Sequence, residues 1–156
     1  MNKRSYKRDR LVEAGKTLFS QQGFHITTLA DIATLANIPT GNVYYYFKSK
    51  DSIAAAVLAH SKKLQEQQLA KFNNLPSAKE RLLAVIKHTT GSVGDIIKFG
   101  DPLGSMCQEL GKKGDDLAKA VAEIMEDLLS WCEEQFKSFG EGQDPRKQAI
   151  NLVSCL

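Results

Sequence analysis

Apolar residues recur every three or four positions along almost the whole chain, and this spacing constrains the fold more than any other feature of the sequence. The segments 11–19 and 117–136 are clear examples. Such a repeat places apolar side chains on one face of an α-helix, whereas a half-buried strand needs strict alternation, which no segment sustains. The sequence therefore predicts an all-α fold, and 156 residues are enough for a folded core without disulfides or metals.

Capping residues and turn residues divide this pattern into helices of different lengths. Thr28 precedes Asp31 by three residues, and Ser77 precedes Glu80 in the same way, so each pair is a potential capping box. Asp144 is followed by proline, which is typical of the first position of a helix. The predicted helices cover 5–22, 29–36, 40–47, 51–72, 77–90, 115–139 and 145 onwards, with short pieces at 92–98 and 103–110.

Charge is distributed unevenly between two parts of the chain. Residues 1–50 contain eight Lys or Arg and three Asp or Glu, a net charge of +5, whereas residues 51–156 carry −2. A basic head joined to a slightly acidic body indicates a polyanion-binding module attached to a module with another task. We therefore predict two domains, 1–50 and 51–156, with the boundary at the start of the long helix.

The cysteines and the N-terminal residues indicate a soluble, cytoplasmic protein. Cys107, Cys132 and Cys155 are widely separated and form neither a CxxC pair nor a metal spacing with any histidine. The first ten residues are too charged for a secretion signal, and the longest apolar run, 53–59, is far too short to cross a membrane. We expect no metal, no cofactor and no membrane partner.

The helices predicted at 29–36 and 40–47 are separated by a short turn, which is the spacing of a helix-turn-helix. We expect Thr40 to cap the second helix. Val43 and Phe47, four residues apart, should anchor it on the first helix. The expected contacts on that helix are Ile32, Ala33 and Leu35. Three adjacent tyrosines remain, and so small a module can hardly supply buried partners for three hydroxyls, so we expect them to face a ligand.

These residues resemble a known signature. Thr27-Thr28-Leu29-Ala30-Asp31-Ile32-Ala33, followed by Gly41-Asn42-Val43-Tyr44-Tyr45-Tyr46-Phe47-Lys48-Ser49-Lys50-Asp51, is similar to the N-terminal part of TetR/AcrR-type transcriptional regulators over roughly residues 8 to 55. The resemblance implies a ligand-responsive repressor, not an enzyme. It also implies that a homodimer binds a palindromic operator in double-stranded DNA and that a small molecule bound to the second domain releases it.

The resemblance further implies roles for individual residues. Thr28 and Lys50 would bind phosphates, Lys48 would add sequence-independent attraction, and the start of the second helix would read base edges. The tyrosines would divide between phosphates and a thymine methyl group. The predicted DNA-binding residues are Thr28, Thr40, Gly41, Asn42, Tyr44, Tyr45, Tyr46, Lys48 and Lys50. Asn37 departs from the family by replacing a glycine in the turn, which asparagine can do because it tolerates left-handed geometry.

The resemblance implies an effector pocket after Asp51, but no motif identifies its residues. By chemistry, aromatic and sulfur-containing walls suit a small apolar or aromatic effector. The candidates are His88, Phe99, Met106, Cys107, Trp131 and Phe136, for each of which ordinary core packing is the competing interpretation. An alternative is a redox or electrophile sensor in which Cys107, near a helix start, is the reactive thiol.

Two further alternatives remain at this stage. A helical enzyme would need a catalytic constellation, and the acidic pairs of the sequence are typical of solvated helix faces. A helical regulator could instead use its second domain to bind a protein partner. The final helical pattern has no stop signal before Leu156, so we also expect the chain to be part of a longer protein.

Overall fold

The computed structural model describes residues 3–91, 102–110, 116–140 and 144–156, and within these ranges the chain consists of eight α-helices without a strand. The helices are α1 (Lys3–Gln22), α2 (Leu29–Leu35), α3 (Thr40–Tyr46), α4 (Lys50–Phe72), α5 (Ala78–Thr90), α6 (Pro102–Leu110), α7 (Asp116–Lys137) and α8 (Pro145–Ser154). The predicted all-α class is confirmed. The helix predicted at 92–98 and the candidate Phe99 lie outside the described residues.

Local capping chemistry accounts for several of the helix ends. Gly23 follows α1 with a φ of 88°, the left-handed conformation that glycine adopts without a steric penalty. The Ser77 side chain accepts a hydrogen bond from the amide of Glu80 at the start of α5. Asp144 accepts from the two amides that follow Pro145, so α8 begins as its sequence predicts. Helix α7 ends at Lys137, two residues before the predicted end.

The chain forms two compact units. Unit 1 comprises Met1–Ser61 and Lys98–Ala122, and it contains α1, α2, α3 and α6 together with the first parts of α4 and α7. Its core includes side chains with no exposed surface, namely Leu11, Phe19, Ile32, Val43, Ile53 and Leu110. Unit 1 therefore supplies the rigid support on which the two short helices lie.

Close packing between α1 and α4 depends on one glycine of unit 1. A Cβ atom built on Gly15 would lie 2.7 Å from the Cγ2 atom of Ile53, well inside contact distance. Ile53 is fully buried and its Cγ2 atom is bonded directly to Cβ, so this atom could move only if the packing around it changed. Helix α4 can approach α1 this closely because residue 15 has no side chain.

Unit 2 comprises Lys62–Ile97 and Glu123–Leu156 and has its own apolar core. Leu82, Cys132 and Ala149 form its buried centre, against which Trp131 and Phe136 pack while partly exposed. Burial raises the pKa of the Cys132 thiol to about 11. In the same unit, Arg146 of α8 contacts two carboxylates of α7, Glu126 at 2.7 Å and Glu133 at 3.5 Å. These contacts hold α8 against α7.

None of the helices in the described part of the chain combines the length and the apolar character that crossing a membrane requires.

Candidate nucleic-acid interface

Helix α2 begins with a complete capping box. The Thr28 hydroxyl accepts from the amide of Asp31 at 3.1 Å, and the Asp31 carboxylate accepts from the Thr28 amide at 2.9 Å. The Thr28 hydroxyl also donates to this carboxylate at 2.7 Å, and these hydrogen bonds lower the pKa of Asp31. The predicted cap is confirmed. The Thr28 hydroxyl proton already has an acceptor, so a phosphate would have to replace Asp31 to receive it.

Asn37 creates the turn between the two short helices. Its φ of 49° lies in the left-handed region, as its substitution for a glycine of the family pattern predicts. Its amide donates to the Thr34 carbonyl at 3.0 Å, and the amide of Ile38 donates to the Ala33 carbonyl at 2.9 Å. The chain therefore reverses within a few residues and carries Ile38 into the core, where 5% of it is exposed.

Helix α3 has one buried side and one exposed side. Val43 is fully buried and Phe47 nearly so, as expected for the anchoring residues. Ile32 and Ala33 of α2 are buried as predicted, whereas Leu35 is 51% exposed, so its predicted role as an anchor is wrong. Leu35 is the last residue of α2, whose buried face consists of Ile32 and Ala33 and continues in Ala36.

The exposed side of α3 carries the residues predicted to read DNA. Tyr44 and Tyr45 are 51% and 61% exposed, and Tyr46 is half-buried with its ring edge-on to Tyr45 at 5.0 Å between centroids. Thr40, Gly41 and Asn42 are also exposed, and no atom lies within 4 Å of a Cβ built on Gly41. The expectation that the tyrosines avoid the core is therefore met by two of the three.

The predicted cap of α3 is wrong. Pro39, not Thr40, is the N-cap residue, and it makes no side-chain hydrogen bond, while Thr40 is the first residue of the helix itself. The fixed φ of proline, here −54°, prepares the chain for helix entry without a capping hydroxyl.

Basic residues flank this exposed face. The Lys48 ammonium donates to the Tyr44 carbonyl at 3.0 Å and thereby closes the C-terminal end of α3. The Arg8 guanidinium lies 5.1 Å from the centre of the Phe47 ring. The Lys50 ammonium lies over the ring of Phe24 at 4.4 Å and donates to two backbone carbonyls, so the predicted phosphate ligand also has structural contacts within the chain.

The predicted effector residues that the structure describes are divided between the two units, and their role stays a prediction. Met106 and Cys107 belong to unit 1, whereas His88, Trp131 and Phe136 belong to unit 2. Met106 is 2% exposed, and Trp131 and Phe136 pack against the core of unit 2, which is the competing interpretation for these residues. A shallow groove of about 460 Å³ is lined by residues of α1 and the end of α2 instead.

Cys107 is not at a helix start. It is the sixth residue of α6, which begins at Pro102, and its side chain is half-buried. The stabilisation of a thiolate by a helix dipole is confined to the first turn. The geometric premise of the thiol-sensor hypothesis is therefore wrong, while the reactivity of Cys107 stays a prediction.

Two residues that make contacts with distant parts of the chain were not singled out from the sequence. Phe72 lies between His88 and Trp131 in unit 2, with ring centroids 6.1 Å and 6.4 Å away. Glu109 of α6 accepts hydrogen bonds from the amides of Phe24 and His25, more than 80 residues earlier. No local pattern identifies either residue, because each acts through a contact with a distant part of the chain.

Comparison with known proteins agrees with this geometry. Residues 11–57 match the family described as bacterial regulatory proteins, tetR family. The chain thus carries a TetR-family segment over residues 11–57. It is similar to the HTH-type transcriptional regulator LmrA of Bacillus subtilis, with 26% identity over 154 residues that make up 96% of this chain and 81% of LmrA. On this match and this relative, the chain is a DNA-binding transcriptional regulator and not the helical enzyme considered above.

Another relative is matched over a smaller share of its length. The HTH-type transcriptional repressor NemR of Escherichia coli is 25% identical over 121 residues, which cover 76% of this chain and 59% of NemR. Among solved structures, AibR in complex with isovaleryl coenzyme A and operator DNA has a TM-score of 0.77 at 17% identity, covering 95% of this chain and 82% of AibR. At that identity the likeness extends to the fold alone.

Proposed function

We propose that this TetR-family regulator is a repressor that binds a palindromic operator as a homodimer and releases it when a small apolar or aromatic effector binds. The exposed face of α3 carries the proposal. A seven-residue helix fixed by Val43 and followed by the buried Phe47 presents Asn42, Tyr44 and Tyr45 to solvent. Large aromatic side chains with hydroxyl groups are rarely left exposed together unless they serve recognition.

Each exposed residue has a role that suits its chemistry. Thr40, Gly41 and Asn42 would reach base edges in the major groove, and Gly41 would allow the backbone to come close. Tyr44, Tyr45 and Tyr46 would donate to phosphates or contact a thymine methyl group. Thr28, Lys48 and Lys50 would bind phosphates, and basic residues of α1 would add attraction that depends on salt rather than on sequence.

The geometry of DNA supports the proposed dimer. Two recognition helices can read one face of a duplex only when they are about 34–36 Å apart, which gives the operator its palindromic form. An effector would act by changing that spacing. We propose the division of tasks that the charge pattern predicts, with DNA bound by residues 1–50 and the effector and second subunit bound by residues 51–156.

The chemistry of unit 2 supports an apolar or aromatic effector. The Phe72 ring lies near the rings of both His88 and Trp131, and the Trp131 indole donates to the Asn73 side chain at 2.9 Å. AibR, the fold relative seen with isovaleryl coenzyme A, adds acyl thioesters to the compounds worth testing. The chain has a single tryptophan, so quenching of its fluorescence would report effector binding near this group.

The decisive experiment begins by selecting duplexes from a random pool with the wild-type protein. Fluorescence anisotropy then compares the selected duplex with an unrelated one at several salt concentrations. We expect selection of a two-fold symmetric sequence and an affinity that falls steeply with salt. Failure to select any sequence, or binding that does not depend on salt, would refute the proposal.

Two variants and a matched control sharpen this test. Asn42→Ala should lose preference among selected duplexes, because it removes a group proposed to read bases. Lys48→Ala should weaken binding to every duplex and reduce the salt slope by about one. Lys79→Ala removes the same charge from an exposed position of α5 and should change neither quantity. Sedimentation of the protein alone and with the duplex would measure the dimer.

A further inference from the structure

The loop between α1 and α2 is held by two opposite charges from distant parts of unit 1. The Lys50 ammonium at the start of α4 donates to the carbonyls of Phe24 at 2.6 Å and His25 at 3.0 Å. The Glu109 carboxylate of α6 accepts from the amides of the same two residues, at 3.1 Å from Phe24 and 2.8 Å from His25. All four backbone polar groups of Phe24 and His25 therefore have an ionic partner, and hydrogen bonds to charged groups are stronger than neutral ones.

The backbone is shaped to receive the carboxylate. Gly23 has a φ of 88°, and a Cβ atom at this position would lie 2.5 Å from an oxygen of Glu109. The carboxylate can lie this close to residue 23 because glycine has no side chain. Helix α6 cannot easily move away, because Met106 and Leu110 on either side of Glu109 in sequence are 2% and 0% exposed.

The held loop leads directly into the helix-turn-helix. Thr27 is 1% exposed, and its hydroxyl donates to the Gly23 carbonyl at 2.7 Å and accepts from the Gln22 side chain at 3.2 Å. The next residue, Thr28, is the cap of α2. The loop is therefore internally braced, and its placement sets where α2 begins and, through the turn at Asn37, where α3 lies.

We propose that Glu109 is a positioning residue for DNA binding. Its carboxylate, fixed on α6 and lying outside residues 11–57 that match the family, would hold the loop so that α2 and α3 meet DNA in the right orientation. This inference rests on the proposed function. Glu109 acts through the loop backbone and not through contact with DNA.

Net charge and positioning predict opposite effects of removing the Glu109 carboxylate on DNA binding, and this difference provides the test. Removing a negative charge from unit 1 should strengthen attraction to phosphates if Glu109 acts only through the net charge. Removing the same charge should weaken binding if the carboxylate positions the loop. Glu109→Gln separates the two cases, because it keeps the size of the side chain while its amide can accept at one atom only.

The experiment measures both how firmly Glu109 holds the loop and how this affects DNA binding. Hydrogen exchange by NMR in the free protein should show faster exchange at the Phe24 and His25 amides in Glu109→Gln than in wild type. Anisotropy should show a loss of about tenfold in affinity for the duplex selected by the wild type, with an unchanged salt slope. Gln108→Ala, which changes an exposed neighbour on the same helix, should match the wild type in both measurements.

Each outcome decides between the explanations. Equal or tighter DNA binding by Glu109→Gln, or unchanged exchange of the two amides, would overturn the positioning role while leaving the proposed function intact. If the wild type itself binds no duplex, the proposed function fails and the positioning role fails with it, even if the exchange rates change. Should Glu109→Gln not fold, Glu109→Asp retains the charge but shortens the reach, and it should give the same loss in both measurements.

Discussion

The backbone of Asn37 decides whether the helix-turn-helix can close. A left-handed conformation costs an ordinary residue about 1–2 kcal/mol, while asparagine adopts it at lower cost and glycine without a penalty. Asn37 has a φ of 49°. We therefore expect Asn37→Ala to lower the free energy of unfolding by about 1 kcal/mol and Asn37→Gly to leave it nearly unchanged. Urea denaturation measures both, and an equal loss in the two variants would show that the asparagine side chain, not the backbone, carries the effect.

Asp31 gives the capping box a dependence on pH. Hydrogen bonds from the side chain and the amide of Thr28 lower the pKa of Asp31 below its ordinary value of 3.8. Because the carboxylate form is the stabilised one, its contribution is complete above that ordinary value and disappears as the pH falls through the lowered pKa. The difference in unfolding free energy between wild type and Asp31→Ala should therefore be constant near neutral pH and shrink below about pH 4.

Chemical denaturation at a series of pH values tests this expectation. Asp51→Ala, which removes a carboxylate at an exposed position of α4, is the control for general effects of charge. A difference between wild type and Asp31→Ala that persists unchanged at the lowest pH would contradict the assignment of the effect to the ionised cap.

At the scale of single elements, the sequence predicts what local chemistry determines. The starts of α2, α5 and α8 are correct because a capping side chain and its amide partners lie within three residues of each other. The cap of α3 is wrong because the sequence offers both a hydroxyl and a proline there, and propensity alone does not tell which one begins the helix. The sequence predicts Leu35 to be buried, but Ile32, Ala33 and Ala36 form the buried face of α2 and Leu35 lies outside it.

Two glycines of unit 1 allow the role of space to be separated from the role of helix propensity. Alanine favours a helix interior over glycine by up to about 1 kcal/mol. At Gly15 the added methyl group would meet Ile53 at 2.7 Å, so Gly15→Ala should destabilise the protein by about 1–3 kcal/mol despite the gain in propensity. At Gly41 nothing lies within 4 Å, so Gly41→Ala should not reduce stability.

Thermal denaturation compares the two variants, and DNA binding completes the comparison. Gly41→Ala should keep its melting temperature yet bind the selected duplex more weakly, because the proposed close approach to DNA is blocked. If Gly15→Ala is as stable as wild type, α1 and α4 have room to separate and the packing argument fails.

At the scale of the whole molecule, long-range contacts limit what can be predicted from the sequence. The charge step predicts which end binds DNA, and family resemblance predicts the face of α3. The contacts of Glu109 and Lys50 with the backbone of Phe24 and His25 could not be predicted in this way, because they join residues more than 80 positions apart on one side and about 25 on the other. The effector candidates likewise belong to different units, which no local pattern shows, and their role stays a prediction.

The rates at which the three cysteines react with a thiol reagent test both their burial and the thiol-sensor hypothesis. Cys132 is fully buried and its pKa is raised to about 11, whereas Cys155 is exposed and Cys107 half-buried. A rise of about two pKa units reduces the thiolate fraction near neutral pH about a hundredfold, and burial also blocks access. We expect a thiol reagent at neutral pH to label Cys155 rapidly, Cys107 more slowly and Cys132 only after unfolding.

Mass spectrometry of labelled peptides measures this order directly. Cys155→Ser should remove the fast phase, and denaturant should expose all three thiols. Rapid native labelling of Cys132 would show that the core of unit 2 opens far more readily than its packing indicates. If Cys107 instead reacted fastest, and Cys107→Ser abolished the effect of peroxide on DNA binding, its environment would favour a thiolate without a helix N-terminus, and thiol sensing would replace the effector proposal.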